Sequence, residues 1–345
     1  MKKNIVIRMR ALGLSYLFET RAVRAGLGFA VLLGAVLVTS CTVGSLFLHP
    51  LAVLKTFFGF GSETEHLVLF QFRLPRILTA MMVGAALSVS GAILQGMIRN
   101  PLASPDLLGI VGGGSMVAVG FLILFPDASI HWLPPAALIG AILVTLILYL
   151  LAWKDGVTPA RLVLIGVGLQ FLLAALTNVL IVRSPLHLTE RAMVWMTGSV
   201  YGSNWTHVAV FAPWLMVFIP LAFAASRRLN ALQMGDDVAA GIGNPVQRSR
   251  LLLVWIATGL AGSGIAVGGA VGFVGLLGPH IARRFVGSSG EALIPLSALI
   301  GALITALADL IGRTAFSPVE IPLGVFTSIV GAAFFMYLLF KYKHL

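Results

Sequence analysis

The side chains that could carry out chemistry are few in this 345-residue chain and lie far apart. The seven histidines are scattered, without the short spacing that metal ligands need. No Gly-Lys-Ser or Gly-Lys-Thr occurs, so the sequence contains no nucleotide-binding P-loop. We find no paired carboxylates and no nucleophile–base arrangement, and the single cysteine, Cys41, excludes an internal disulfide. These features predict a protein that is not an enzyme and that holds no metal or cofactor of its own.

Charged side chains stand out at three places instead. Arg73 and Arg76 lie three residues apart, Asp309 and Arg313 lie four apart, and the segment 227–250 is the longest polar stretch between apolar runs. The middle parts of the apolar runs contain no charge. A charge at the centre of a bilayer costs at least about 2.5–3.5 kcal/mol and usually marks an ion or proton site. Its absence argues against an ion-coupled transporter.

The elements that must position these groups are apolar helices. The chain is 59% hydrophobic and 10% charged, with a mean hydropathy of +1.00, whereas soluble domains carry roughly 25% charge. Residues 77–98 form an uncharged run of 22 residues, which is about 33 Å of helix against a hydrocarbon core of about 30 Å. The composition predicts an all-α integral membrane protein. The net charge of +11 lies in short connecting segments, where it sets membrane orientation rather than binding nucleic acid.

Ten apolar segments are predicted to cross the membrane. They are 25–48, 76–98, 107–125, 133–153, 161–182, 206–225, 251–268, 271–285, 292–312 and 321–340. Ten crossings place both termini on one side, together with seventeen of the 23 lysines and arginines, and leave six on the other side. Such an asymmetry is typical of a cytoplasmic side. We therefore expect residues 1–24 to form a cytoplasmic arm, with an interfacial helix as one option, and residues 25–345 to form one ten-helix domain.

Several stretches resemble one family of transport proteins. They are RLPR at 73–76, GAALSVSGAILQGMIRNPLASPDLLGI at 84–110, Gly272-Phe273-x-Gly275-Leu276, Pro279-His280 and Glu320-Ile321-Pro322-x-Gly324. Together they resemble the FecCD-type permeases, the membrane subunits of ABC importers for iron–siderophore complexes, haem and cobalamin. The resemblance implies the ten-helix permease fold of type II importers, similar to the cobalamin importer.

The resemblance also assigns a role to the polar segment 227–250. Its pattern Gly235-Asp236-Asp237-x-Ala239-x-x-x-Gly243 is similar to the family's coupling loop, in which two short helices dock on the ATPase. Gly235, Asp236, Ala239 and Gly243 are therefore predicted coupling residues. Asp236 stands where the family commonly has glutamate, and Gly241 replaces a usual non-glycine. The alternative is a plain connection between two helices.

Two further sets of residues follow from the same resemblance. Arg73, Arg76 and Arg313 match outer-face arginines that pair with glutamates of a substrate-binding protein; the alternative is contact with lipid at the interface. In the family, the fifth span and its outer extension line the transport path. Gly166, Gly168 and Gln170 are therefore predicted path residues.

The resemblance implies the partners as well. Two ATPase subunits with ATP and magnesium would bind below the membrane and a substrate-binding protein above it. A second permease, identical or a sister chain, would complete the central path in a bacterial cytoplasmic membrane. The expected cargo is a ferric siderophore, with cobalamin and haem as alternatives. An ion-driven secondary transporter is the rival class.

Overall fold

The computed structural model describes residues 4–9, 14–44 and 46–341, and almost all of this part is helical. Ten helices coincide with the ten predicted segments. They are α1 (Thr20–Thr42), α4 (Leu74–Ile98), α5 (Ile110–Leu124), α6 (Leu133–Ala152), α7 (Pro159–Val182), α9 (Trp205–Ala224), α12 (Val246–Gly268), α13 (Val274–Val286), α14 (Gly290–Thr314) and α15 (Leu323–Lys341). Five shorter helices connect them: α2 (Pro50–Phe57), α3 (Glu63–His66), α8 (Leu186–Met196), α10 (Ser226–Gln233) and α11 (Asp236–Gly241).

Length separates these ten helices into two groups. Seven described helical segments are long and apolar enough to cross a membrane, namely those that contain α1, α4, α6, α7, α9, α12 and α14. The apolar helices α5 and α15 are shorter. At 13 residues, α13 is the shortest of the ten, and a helix of that length spans only about 20 Å. The structure is thus a multi-pass helical bundle, while the number of complete crossings stays a prediction.

The N-terminal arm contains strands rather than an interfacial helix. Strands β1 (Asn4–Met9) and β2 (Leu14–Glu19) pair antiparallel, with Asn4 opposite Glu19. Helix α1 then begins at Thr20, so the last residues of the predicted arm belong to the first helix. The fold is therefore all-α only beyond this hairpin. Four cations of the orientation count lie outside the described residues: Lys2, Lys3, Arg10 and Lys343.

The second membrane helix begins earlier than its apolar run. Ser62 accepts a hydrogen bond from the backbone of Glu65, whose side chain accepts one from the backbone of Ser62. This capping box starts a helix that continues from Glu63 through a π-helical stretch, Leu67–Arg73, into α4. The predicted segment began at Arg76, whereas the helix also includes Arg73, which was expected to precede it.

Helix α4 is the centre of the bundle, buried along almost its whole length. Its most extensive contacts are with α14, α12 and α13. Glycines permit this packing: a Cβ on Gly84 would overlap the carbonyl of Gly301, and a Cβ on Gly91 would overlap the carbonyl of Gly275. Small residues in such rows let helices approach closely in lipid. The same contacts bring α13 beside the segment 99–109, where Pro105 packs against Gly275.

Candidate functional site

The polar segment 227–250 forms α10, α11 and the first turn of α12 at one end of the bundle, which we call the α11 end. Gly235 joins α10 to α11 with φ +108°, and Gly243 follows α11 with φ +82°. Both angles lie in the region that favours glycine. The expected pair of short helices around Gly235 is therefore confirmed, and both predicted glycines have a conformational reason to be there.

Helix α11 turns an apolar surface outward. Val238 and Ile242 are spaced four residues apart, and 47% and 63% of their surfaces are exposed. Met234 lies beside them and is also exposed. Ala239, in contrast, is fully buried within the chain. Of the predicted coupling residues, Ala239 thus packs inward, while its apolar neighbours, which the sequence analysis missed, form the exposed surface.

Asp236 begins α11 and is held by a buried arginine. Nη2 of Arg250 donates to both carboxylate oxygens of Asp236, at 2.9 and 2.8 Å. Nη1 of Arg250 donates to the carbonyl oxygen of Val157. Arg250 is 0% exposed, whereas the Asp236 side chain keeps 34% of its surface exposed. The start of α11 is therefore tied through α12 to the turn between α6 and α7.

That turn, residues 153–158, is fastened on both sides. The side chain of Gln247 accepts from the backbone of Val157 at 2.9 Å and donates to its carbonyl at 3.3 Å. On the other side, Arg161 of α7 donates to the carbonyl of Lys154 at 2.7 Å. Thr158 then caps α7 by accepting from the backbone of Arg161 at 3.4 Å. The turn connects α12 to the start of α7.

An open groove of about 770 Å³ lies beside the turn. One wall is the end of α4 with the residues after it, and the other is the first half of α7. The groove is lined by Ile98, Arg99, Asn100, Pro101, Pro159, Ala160, Val163, Leu164 and Val167. Arg99 ends α4 in a left-handed conformation, with φ 59°, and its Nη2 lies 3.8 Å from Oδ1 of Asp236.

The three predicted path residues do not share one face of α7. Gly166 is buried and packs against the backbone of Leu107 and Leu108. Gln170 packs against Gly112 of α5, and its buried Oε1 has no described hydrogen-bond partner. Gly168 is exposed and has open space around it. Only Gly168 of the three therefore faces away from the bundle.

The three predicted docking arginines come together at the opposite end, which we call the arginine end. Arg73 donates to the carbonyls of Cys41, Thr42 and Leu46. Arg313 donates to the carbonyls of Ser40 and Val43. Arg73 is only 6% exposed and Arg313 only 8%. These two side chains bind carbonyl groups at the end of α1 and in the residues that follow it, so they are not presented to a partner protein here.

Arg76 occupies a different position from the other two arginines. It pairs with Asp309 at 2.9 Å and with Glu320 at 2.7 Å. Arg76, Glu320 and the two buried arginines line a cavity of about 190 Å³, together with Gly44, Leu46, Val68 and Phe72. The predicted arginines thus surround one cavity, but each of them already binds carboxylates or carbonyls of this chain.

One carboxylate escaped the sequence analysis. Asp106 lies between α4 and α5, outside the membrane-spanning helices, and lines a cavity of about 450 Å³ with Ser104, Phe273 and other residues. Part of its side chain is open to the cavity, although the group lies deep within the protein. Burial raises the pKa of Asp106 to about 6, despite hydrogen bonds from its own backbone and from Ser104. The signal in the sequence was its isolation: no other acidic residue occurs between Glu65 and Asp127.

The whole fold has a counterpart among solved structures. It is similar to a structure described as an inward-facing conformation of a metal-chelate type ABC transporter, with a TM-score of 0.82 and 30% sequence identity. The match covers 92% of this chain and 99% of the other. Fold and membrane-length helices together define a multi-pass permease of the ABC transporter class.

The sequence comparison makes the assignment narrower. Residues 31–341 match the model of the FecCD transport family, and the chain belongs to that family. It is 48% identical over 330 residues to the "Probable siderophore transport system permease protein YfhA" of Bacillus subtilis, covering 93% of this chain and 96% of that protein. It is 47% identical over 311 residues to the achromobactin transport system permease protein CbrC of Dickeya dadantii, covering 90% and 89%. The family expected from the sequence motifs is confirmed.

Proposed function

We propose that this chain is the permease subunit of an ATP-driven importer that carries a ferric siderophore across the bacterial cytoplasmic membrane. The observation that carries the proposal is α11, which exposes Val238 and Ile242 at the end of the bundle to which the ten-crossing topology assigns most cations. On this proposal the α11 end faces the cytoplasm, where both termini also lie. Ten helices then cross the membrane, with α13 as the short eighth crossing.

Two ATPase subunits are the proposed partners at the α11 end, and ATP and magnesium would bind on them. Exposed apolar side chains within a polar surface are typical of a protein-binding site. Val238, Ile242 and Met234 form such a site beside the conformationally special Gly235 and Gly243. A charge at Ile242 is expected to prevent ATPase binding without affecting insertion.

A substrate-binding protein is the proposed partner at the arginine end. Arg76 is the best placed of the three arginines, because 15% of its side chain is exposed and it pairs with the exposed Glu320, whereas the other two arginines are buried. Arg73 and Arg313 would have to leave the carbonyls of α1 before they could pair with a partner's carboxylates. We therefore propose that Arg76 makes the direct contact and that the other two hold the end of α1 in place.

A second permease subunit is the proposed partner along α7. Only 17% of the apolar window of α7 is buried, against 78% for α12. Leu164, Phe171 and Val182 are among its most exposed apolar side chains. An identical copy or a sister chain packed near this helix would enclose a central path onto which Gly168 opens. Gly166 and Gln170 would then support the path through α5.

The cargo is proposed from the relatives. Permeases named for siderophore and achromobactin transport are 48% and 47% identical to this chain over about nine-tenths of its length. Ferric hydroxamate and ferric citrate permeases follow at 41%. Cobalamin and haem stay as alternatives, because the linings of the cavities described above are not specific to one chelate.

One observation favours the rival, an ion-driven transporter. Asp106 lines a cavity between α4 and α5, and its pKa of about 6 would let it take up and release a proton near neutral pH. The two classes differ in their energy source. Uptake that stops with a protonophore while cellular ATP is held constant would support the rival, whereas uptake that follows ATP would support the importer.

The experiment that tests the proposal is uptake of radiolabelled ferric chelates by cells with and without this chain. The panel contains a hydroxamate, a catecholate, ferric citrate, haem and cobalamin. We expect cells without the chain to lose uptake of at least one ferric siderophore. The unaltered chain should restore this uptake, whereas the Ile242→Glu variant should not. If only haem uptake or only cobalamin uptake is lost, that compound is the cargo instead of a ferric siderophore. If uptake of every compound is unchanged, the proposed import of iron is overturned.

A further inference from the structure

We infer that Asp236 is the joint through which α11 holds both walls of the groove between α4 and α7. The inference rests on the proposed function and deepens it, because it names the residues that would carry the ATPase signal to the transport path. It makes Asp236 a positioning residue rather than a docking residue.

The first wall is reached through Arg99. Its Nη2 lies 3.8 Å from Oδ1 of Asp236, and the position of a Cβ on Gly235 would lie 3.2 Å from its Nη1. Arg99 is the residue at which α4 ends, and it lines the groove with Asn100 and Pro101. The start of α11 is therefore in direct contact with the α4 wall.

The second wall is reached through Arg250 and Val157. Arg250 binds both oxygens of Asp236 with one nitrogen and the carbonyl of Val157 with the other. Val157 lies two residues before Pro159, where α7 and the other wall of the groove begin. One buried guanidinium thus joins the start of α11 to the start of α7.

Burial makes the second connection stiff. Arg250 is 0% exposed, so its guanidinium has no solvent-exposed alternative to Asp236 and Val157. Charge-assisted pairs of this kind hold both distance and direction. The helix that carries Arg250, α12, is packed over 78% of its apolar window, against 17% for α7. A shift of α11 will therefore displace α7, which the rest of the chain encloses less, more readily than α12.

The two connections act together on the groove. A shift of Asp236 changes the position of Arg99 on one wall and of Val157 ahead of the other. Because the groove lies between these walls, its width follows the position of α11. Contiguity alone does not establish energetic coupling, so the proposal requires a direct measurement of the groove.

The measurement uses the permease in complex with its ATPase partner in lipid nanodiscs. Cys41 is buried and is the only cysteine, so Cys41→Ser provides the background. Val167→Cys places a thiol in the groove, and a charged thiol reagent reports its accessibility. With a non-hydrolysable ATP analogue, we expect the labelling rate to change about tenfold, within the usual range of coupling between two sites. The same reporter in the Asp236→Asn variant should lose this response.

Three further variants make the outcome specific. Asp236→Glu keeps the charge and should keep the response. Asp237→Asn removes the neighbouring, exposed carboxylate and should also keep it. Arg99→Gln changes an exposed side chain, so that folding is not at risk, and should weaken the response by releasing only one wall.

The outcomes separate this inference from the function on which it rests. An Asp236→Asn complex that keeps its ATPase and its full response to the analogue would overturn the inference. Loss of ATPase binding in Asp236→Asn but not in Asp237→Asn would also overturn it and make Asp236 a docking residue. If no ATPase binds the unaltered chain, or the analogue changes nothing in it, the proposed function itself fails.

Discussion

Nε of Arg76 lies 2.9 Å from Oδ1 of Asp309, and this contact joins α4 to α14, the two helices with the most extensive contact in the described bundle. Arg76 also reaches Glu320, and Asp309 has a second, longer contact with Arg313 at 3.6 Å. Asp309 is buried, with 4% of its side chain exposed. The pair therefore holds the arginine end of the bundle together, whatever binds above it.

We expect the Arg76→Met variant to melt several degrees below the unaltered chain in detergent. It leaves the buried Asp309 with only the longer contact to Arg313, and breaking a buried ion pair costs about 3–5 kcal/mol. Adding Asp309→Asn should recover part of the loss, because the two changes share one interaction. Arg191→Met, on the exposed side of α8, is the matched control. Equal melting temperatures of Arg76→Met and this control would contradict the structural role of the Arg76–Asp309 pair.

Arg313→Ala should also lower the melting temperature, for a different reason. It removes donors from the carbonyls of Ser40 and Val43, and each buried acceptor left unsatisfied costs about 1–3 kcal/mol. Affinity for the binding protein should fall more in Arg76→Met than in Arg313→Ala. If affinity falls more in Arg313→Ala than in Arg76→Met, and the melting temperature of Arg313→Ala is unchanged, then Arg313 contacts the binding protein directly. Arg183→Ala provides an exposed control.

Gly243→Val is expected to reduce co-purification of the ATPase while membrane insertion stays normal. A side chain at φ +82° costs about 1–2 kcal/mol, and that cost distorts the end of α11. Gly241→Val is the matched control, because Gly241 also has open space around it but has no left-handed backbone. If both variants lose the ATPase equally, the added bulk rather than the backbone conformation is responsible.

Asp106 should make the stability of the protein depend on pH. Its pKa is about 6 in the folded protein, above the ordinary value of 3.8, so the folded state binds the proton more tightly than the unfolded state. The free energy of unfolding therefore falls as pH rises from about 4 to about 6, where the folded carboxyl ionises. Asp106→Asn should remove this part of the dependence, measured as melting temperature at pH 4.5 and 7. An unchanged pH profile in the variant would contradict the raised pKa.

The candidate site was only partly predictable from local patterns. The resemblance to the family's coupling loop implied two short helices in this segment, and the structure contains both, on either side of Gly235. The inward orientation of Ala239 did not, because it depends on how α11 packs against the rest of the chain. Asp106 was overlooked for a related reason: it lies between two apolar runs, and only the folded segment 99–109 encloses it in a cavity.

The sequence by itself determined the membrane class, the family and the order of the apolar helices. Lipid demands a long uncharged run for each crossing, so hydropathy, which is local and adds residue by residue, is sufficient for that prediction. Only the tertiary structure decided what the charged residues do. Arg313 donates a hydrogen bond to the carbonyl of Ser40, which is 273 residues away in the sequence, and Arg250 donates one to the carbonyl of Val157, which is 93 residues away. Such contacts depend on which helices pack together, and a buried guanidinium bonds to whichever acceptors that packing brings within reach.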